Sequence, residues 1–321
     1  MTTQLNELKG NAISIIGTLE SKDLSLDKDR DGNSIVKGLV RVQVKNGDKV
    51  NSLVLNVYNK EFTKAGKENK LYNGIVTVMN EYKSIEETGS EEEADRVAVN
   101  ADLSYNIYAK DGNVMESNRL RASTFHRLNG NTGAKDQAVG QIPAVIEGYV
   151  DEEDLNGNPT GKTLVNAFTV GYNGRVGKIM KLKVAGDLSD QMQSFFPAGS
   201  TGMLSYDIYN YVIVKEQSVD SNSSSFGEIH EVVQRKSYVN ELLVSGGEML
   251  KNDEDALDED QINAAKVALR KQKTEAVSNG SKGVSRTAGF GSKKPAKKSN
   301  SSDPFANNGA SIDITDDVLP F

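Results

Sequence analysis

The sequence contains no cysteine, no tryptophan and only two histidines. Without cysteine, the chain can form neither a disulfide nor a thiolate metal ligand, and a thiol nucleophile is excluded. His126 and His230 are far apart and do not follow the spacing of a zinc site, so we interpret them as polar strand residues. We therefore expect no metal, no cofactor and no catalytic residue.

Long apolar runs are also missing from the sequence. None approaches the ~20 residues that cross a membrane, and the opening MTTQLNELKGN lacks the basic and apolar regions of a secretory signal. These features predict a soluble, intracellular protein. The formal net charge of −7 argues mildly against a simple polyanion binder.

What the sequence does contain, up to about residue 245, is alternation of apolar and polar residues. A period of two predicts strands, and KNGD and KDGN predict hairpin turns between them. The segment LYNGIVTVMNEYK is included among the predicted strands. Five or so short strands with tight turns indicate a small barrel or sandwich, so the predicted fold is all-β.

Three segments of this region recur in the same order. The matching pairs are NAISIIGTLESKDL with IPAVIEGYVDEEDL, KNGDKVNSLVLNV with YNGRVGKIMKLKV, and ADLSYNIYAK with GMLSYDIYNY. The recurrence predicts two tandem barrels of similar design, at residues 1–130 and 140–247. One larger β domain is the alternative.

The composition changes after Gly247. Residues 248–310 are rich in Ser, Gly, Asn and Lys, a composition that buries too little apolar surface to offset its ordering entropy. We expect a flexible, disordered linker here, with one short helix in KNDEDALDEDQINAAKVALRKQKTEAV.

Residues 311–321, SIDITDDVLPF, are acidic and then apolar. The acidic side chains can meet a basic rim on a partner while the Phe321 ring fills an apolar pocket. An acidic tail that only keeps the chain soluble is the alternative. The expected partner-binding residues are Asp313, Asp316, Asp317, Val318, Leu319, Pro320 and Phe321.

This segment resembles the C-terminal tip of bacterial single-stranded DNA-binding proteins, which is acidic and ends in Pro-Phe. Those proteins also have an N-terminal OB-fold and a Gly/Ser-rich linker, and this chain has the same order. The resemblance implies OB-fold-like barrels, single-stranded DNA as a partner, and docking of a polymerase, helicase, primase or recombinase during replication, recombination and repair.

The body departs from that family, whose members carry one OB-fold per chain and assemble as tetramers. Two tandem barrels would be a divergent, bacteriophage-type version, acting in the cytoplasm of a bacterial host. The oligomeric state is open, and a homo-oligomer is one possibility.

Sites for single-stranded DNA combine cations along the backbone path with aromatic rings that stack on bases. In NRLRASTFHRL, alternation places Arg119, Arg121, Phe125 and Arg127 on one face of a strand. A solvated strand face is the alternative, but arginine favours phosphate and base contacts.

The remaining candidate residues follow from the same sorting of strand faces. Tyr105 and Tyr206 are predicted core residues. The expected DNA-binding residues outside NRLRASTFHRL are Tyr108, Arg175, Lys178, Lys181, Lys183, Tyr209 and Tyr211, and, from a mobile basic and aromatic loop, Tyr58, Phe62, Lys64, Lys67, Lys70 and Tyr72. A plain surface loop is the alternative for the last group.

The sequence contains one nucleotide-binding look-alike. GNPTGKT has three residues between its glycines, where a Walker A loop needs four, and strand-like sequence follows it. We therefore expect a non-enzymatic protein that binds single-stranded DNA without strong sequence preference. A protein-interaction adaptor of a replication complex and a structural virion protein are the alternatives.

Overall fold

The computed structural model describes residues 5–110, 113–128, 133–220, 230–250 and 256–287, without the side chains of 215–220, 230–235 and 279–287. Residues 251–255 and 288–310 of the predicted linker lie outside these residues. So do the predicted partner-binding residues Asp313, Asp316, Asp317, Val318, Leu319, Pro320 and Phe321. Within the part that the structure describes, no helix has the length and apolar character to cross a membrane.

Strands dominate the described chain, which confirms the all-β prediction. The first half contains β1 (Ala12–Lys28), β2 (Ser34–Asn46), β3 (Lys49–Lys60), α1 (Lys70–Glu81), α2 (Ile85–Thr88), β4 (Arg96–Lys110) and β5 (Asn113–Arg127). The second half contains β6 (Gln137–Glu153), β7 (Pro159–Gly171), β8 (Arg175–Ile179), β9 (Leu182–Ala185), α3 (Gly186–Phe195), β10 (Thr201–Asp220) and β11 (His230–Met249), and α4 (Glu259–Thr287) follows.

The five strands of the first half pair in a closed circuit. β1 pairs with β2, β2 with β3, β5 with β4 and β4 with β1, all antiparallel, while β3 and β5 pair in parallel. Alternate residues such as Val40, Val42 and Val44 are buried inside this circuit. Each such side chain contributes roughly 1.5–3 kcal/mol on burial.

The second half repeats this order of strands. β6, β7, β9, β11 and β10 pair in turn and return to β6, again with one parallel pair, β9 with β11. Its third strand is split into β8 and β9 at Lys181, which has a left-handed backbone with φ 61°. In both halves a helix separates the third strand from the fourth.

The two halves join through their first strands. The start of β1 pairs antiparallel with the start of β6, from Ala12 opposite Gln141 to Ile16 opposite Gln137. The first strand of each half therefore pairs with the first strand of the other, and the eleven strands of the described residues belong to one hydrogen-bonded sheet. Tyr105 and Tyr206 are buried, as the sequence predicts.

One predicted strand is wrong. LYNGIVTVMNEYK forms α1, whose first turn is capped by the Asn69 side chain accepting a hydrogen bond from the Leu71 N–H. Ile75, Val78 and Tyr82 are buried, and their spacing of three and four residues is helical. The short run of β-branched residues fits both periods, and packing on the barrel selects the helix.

The folded body extends beyond the predicted boundary at residue 247. Ile262, Ala265 and Leu269 of α4 are buried at helical spacing, in a cluster that includes Phe168 of β7 and Tyr105 of β4. The helix has 29 residues and is thus longer than the short one expected in a linker. Its first turns cover the junction of the two halves.

Candidate nucleic-acid interface

The register of β5 determines which of its predicted residues share a face. Asn100 pairs with Thr124, but the next residue, Ala101, pairs with Ala122, which leaves Ser123 as a β-bulge. Residues directly opposite each other lie on one face of a sheet. The bulge therefore exchanges the two faces of β5 halfway along the strand.

Because of the bulge, Phe125 does not share a face with Arg119 and Arg121. It lies opposite buried Val99 and packs against the core, whereas both arginines are exposed. The prediction of four residues on one face is wrong, since alternation assumes an uninterrupted ladder.

Arg127 is held by groups of its own half. Its Nε lies 3.1 Å from Asp95, an NH2 group donates to the Glu81 carbonyl at 2.6 Å, and the guanidinium lies 4.3 Å from the centroid of the Tyr82 ring. These contacts fasten the end of α1 to β5, so the guanidinium has little freedom to follow a ligand.

Two clefts open between the halves on either side of Asn118. The cleft that we call the β10 cleft has a volume of about 440 Å³. Its lining residues are Leu53, Val54, Asn56, Leu103, Glu116, Ser117, Asn118, Arg119, Leu120, Met180, Lys181, Ile208, Asn210, Asn240 and Leu242. It therefore brings together two predicted cations, Arg119 of the first half and Lys181 of the second.

The second opening, which we call the β8 cleft, has a volume of about 600 Å³. Its cations are Lys9, Arg121, Arg175 and Lys178, and its lining also includes Glu7, Asp102, Tyr105, Tyr172 and Gly177. At Gly177, β8 approaches β4 so closely that a Cβ would lie 2.8 Å from the Tyr105 side chain. This position therefore requires glycine.

Asn118 fixes the two halves at this point. Its Nδ2 donates to the Lys178 carbonyl at 2.8 Å, and its Oδ1 accepts from the Met180 N–H at 2.6 Å. Both backbone groups lie at the end of β8 or in the kink that follows it. Asn118 and Lys9 could not be predicted from the sequence, because only the fold reveals which segments of the other half they meet.

Two of the three carboxylates that line the clefts, Asp102 and Glu116, are already paired, and Glu7 is the third. Arg121 contacts Asp102 at 2.7 Å with its own side chain 61% exposed, and Glu116 contacts Lys273 of α4 at 2.8 Å. An exposed pair such as Arg121–Asp102 contributes about 0–1 kcal/mol. A phosphate can therefore compete with Asp102 for this guanidinium at low cost.

Lys183, predicted on an exposed face, is largely buried. Its Nζ lies 2.5 Å from Glu152 and 2.9 Å from Glu241. Burial alone lowers the pKa of Lys183, but the hydrogen bonds to both carboxylates outweigh it and raise the pKa. The prediction of an exposed lysine is wrong, because these acids come from β6 and β11, which alternation in KIMKLKV cannot show.

Tyr209 and Tyr211 form an aromatic patch with a cation of the first half. Their rings meet edge to face at 6.2 Å, and Lys49 Nζ lies 5.7 and 5.0 Å from the two centroids. A hydrogen bond with Tyr211 raises the pKa of Lys49. Strand alternation places both rings on the opposite face of β10 from Ile208 and Asn210, which line the β10 cleft.

The predicted loop is a closed turn that leads into α1. Phe62 forms a bridge with Glu68, and the Thr63 N–H donates to the Lys67 carbonyl at 2.8 Å. Tyr58 and Phe62 are about half exposed, as is Tyr108 on β4. Lys64, Lys67 and Lys70 are exposed, whereas Tyr72 packs against the core.

Comparisons with known proteins give one family and a set of similar folds. The family described as YorF matches residues 9–282. No curated protein matches the chain. A deletion mutant of the single-stranded DNA binding protein from Thermus aquaticus has a TM-score of 0.43 at 12% identity, covering 79% of this chain and 98% of that one.

Two further solved structures are similar to this chain. The wild-type Thermus aquaticus protein has a TM-score of 0.42 at 11% identity, with 77% of this chain and 95% of that one covered. The mitochondrial single-stranded DNA binding protein Rim1 from S. cerevisiae has a TM-score of 0.24 at 16% identity, with 38% and 100% covered.

Proposed function

The chain belongs to the YorF family, and we propose that it binds single-stranded DNA without strong sequence preference and without catalysing a reaction. In this proposal each half is an OB-type barrel. The polynucleotide runs across the junction of the halves, past the β10 cleft and the β8 cleft. The aromatic patch of Tyr209 and Tyr211 offers a separate stacking surface.

The observation that carries the proposal is the convergence of cations from distant parts of the sequence. Two line the β10 cleft and four line the β8 cleft. The facing carboxylates Asp102 and Glu116 already have partners. Five of the six cations have no ion pair among the described residues, and Arg121 has only its exposed pair with Asp102. Such a concentration of cations suits a phosphate backbone, whatever the net charge of the whole chain.

Salt dependence tests this arrangement. Each phosphate contact on a single strand contributes about −0.7 to the slope of log affinity against log salt. With the six cations of the two clefts engaged, we expect a slope of roughly −4 for oligo(dT), measured by filter binding or fluorescence anisotropy. Absence of salt-sensitive binding would overturn the proposal and favour the adaptor interpretation.

A charge-reversal pair locates the binding surface. Arg119→Glu with Lys181→Glu should lower affinity for oligo(dT) at least tenfold, because a repulsive charge replaces an attractive one on each side of the β10 cleft. Lys28→Glu with Arg30→Glu is the matched control, since these exposed residues line neither cleft. Equal losses in both variants would contradict the assignment of the surface.

We further propose that residues 311–321 dock enzymes of DNA replication, recombination or repair in a bacterial cytoplasm, and that the protein is of bacteriophage type. Support comes from the sequence of this segment alone, acidic and then apolar with a Pro-Phe pair. A labelled SIDITDDVLPF peptide should bind such an enzyme, and a peptide with Phe321→Ala should not.

A further inference from the structure

The β10 cleft has an apolar floor beneath a polar mouth. Leu53, Ile208 and Leu242 at its floor are 1–7% exposed, while Arg119 and Lys181 lie at the rim with exposed side chains. Its volume of about 440 Å³ falls in the range of roughly 300–1,000 Å³ that small-molecule sites occupy. A phosphate alone would gain little from such a floor, since burying a charge against apolar groups is costly.

Two side-chain amides at this cleft have unused hydrogen-bonding capacity. Asn56 of β3 and Asn240 of β11 line it from opposite halves, and neither side chain has a hydrogen-bond partner among the described residues. Both polar atoms of the Asn118 side chain, by contrast, already bond to the second half. An amide offers both donors and an acceptor, so it can pair with the edge of any nucleobase.

We propose that the β10 cleft holds one nucleobase of the bound strand, turned out of the backbone path. The base packs on the leucine and isoleucine floor, its edge meets Asn56 and Asn240, and the flanking phosphates lie against Arg119 and Lys181. The inference rests on the proposed function and adds to it a base-binding pocket between the two halves. Because amides accept either polarity of edge, the pocket does not require a particular sequence.

The test compares a strand that has bases with one that has none. The full chain is titrated with oligo(dT) and with an abasic oligomer of the same length and charge. Ser117, on the wall of the cleft, is replaced by Trp so that the indole occupies the space for the base. Ser194→Trp on the exposed surface of α3 is the matched control, and thermal unfolding checks that each variant folds.

We expect Ser117→Trp to weaken oligo(dT) binding about tenfold and to leave abasic binding within about twofold, as loss of one base contact predicts. Ser194→Trp should change neither affinity. An equal loss on both ligands, or no loss on either, would overturn the inference while leaving single-stranded DNA binding in place. A wild-type chain that ignores oligo(dT) would instead overturn the proposed function.

A second variant keeps the test decisive if the indole disturbs folding. Asn56→Ala with Asn240→Ala removes the edge contacts without adding volume, and should selectively weaken oligo(dT) binding. Thymidine monophosphate serves as a competitor in the same titration. If thymidine monophosphate displaces oligo(dT) at equal nucleotide concentration, the cleft binds a free nucleotide and not a base of a DNA strand, and the inference is overturned.

Discussion

Asn118 joins the halves through two backbone groups, those of Lys178 and Met180. Asn118→Ala leaves a donor and an acceptor at the junction without partners, and each such loss costs about 1–3 kcal/mol. We expect the free energy of unfolding to fall by roughly 2–4 kcal/mol, measured by urea denaturation. Asn240→Ala, whose side chain makes no hydrogen bond among the described residues, should unfold like the wild type.

Replacing Lys181 should affect DNA binding, whereas replacing Lys183 should affect the stability of the fold. Lys183→Met removes one of the two lysines that pair with the buried carboxylate of Glu241 and the ion-pair partner of half-buried Glu152. Breaking a buried pair costs up to about 3–5 kcal/mol, and Lys162 offsets part of that loss. Lys181→Met should leave stability nearly unchanged and weaken DNA binding. Chemical denaturation and oligo(dT) titration of both variants check the contrast. A Lys183→Met chain as stable as the wild type would contradict it.

Glu241 also links stability to pH. Burial raises the pKa of Glu241, but hydrogen bonds from Lys162 and Lys183 lower it by more. The resulting pKa lies below the ordinary value of 4.5. A carboxyl group whose pKa is lower in the folded state stabilises the fold at pH values above its pKa in the unfolded state. That stabilisation is lost as the pH falls through its pKa in the folded state. Wild-type stability should therefore decline below about pH 4.5, and Glu241→Gln should flatten this decline in a series of denaturation curves.

At the scale of elements, α4 belongs to the fold and not to a linker. A chain ending at residue 250 loses Leu257, Ile262 and Leu269 and uncovers their apolar partners on β4 and β7. At about 1.5–3 kcal/mol for each of these three buried side chains, we expect a loss of roughly 5–9 kcal/mol. A chain ending at residue 287 is the control. Equal melting temperatures for the two truncations would show that the helix contributes nothing.

The elements also show how far a sequence can predict a site. Alternation correctly placed Tyr105 and Tyr206 in the core, because β4 and β10 gain no extra residue there. The register shift beside Tyr206 places the additional residue, Ser245, on β11. Alternation failed at Phe125 and Lys183, where a bulge, a backbone kink and acids from distant strands decide the outcome. It failed at α1 as well, since a short run of β-branched residues fits two periods.

At the scale of the whole molecule, the cations of the clefts could be predicted one by one but not as a set. Arg119 and Lys181 are 62 positions apart in the sequence (181 − 119), and no local pattern shows that they face each other. Their meeting depends on the pairing of β1 with β6 and on the contacts of Asn118. The hydrophobic period and the strand propensity of a local segment do not show which distant strand it pairs with.

The acidic end of the chain provides a whole-molecule prediction. If residues 313–321 compete with DNA for the cationic clefts, a chain without them should bind oligo(dT) more tightly at low salt, and the difference should vanish as salt screens the charges. Anisotropy titrations across a salt series measure this. Unchanged affinity at every salt concentration would show that this segment does not compete.

The pairing of β1 with β6 is the contact that two copies of one barrel would make around a two-fold axis. A single chain thus contains the symmetry of a homodimer, yet its two members are free to diverge. That freedom allows the β10 cleft to have two dissimilar walls, with Arg119 on the first half and Lys181 on the second. If the proposed function holds, a strand lying along the cleft would meet different surroundings at its two ends, and its complex would have a built-in direction that an assembly of identical subunits lacks.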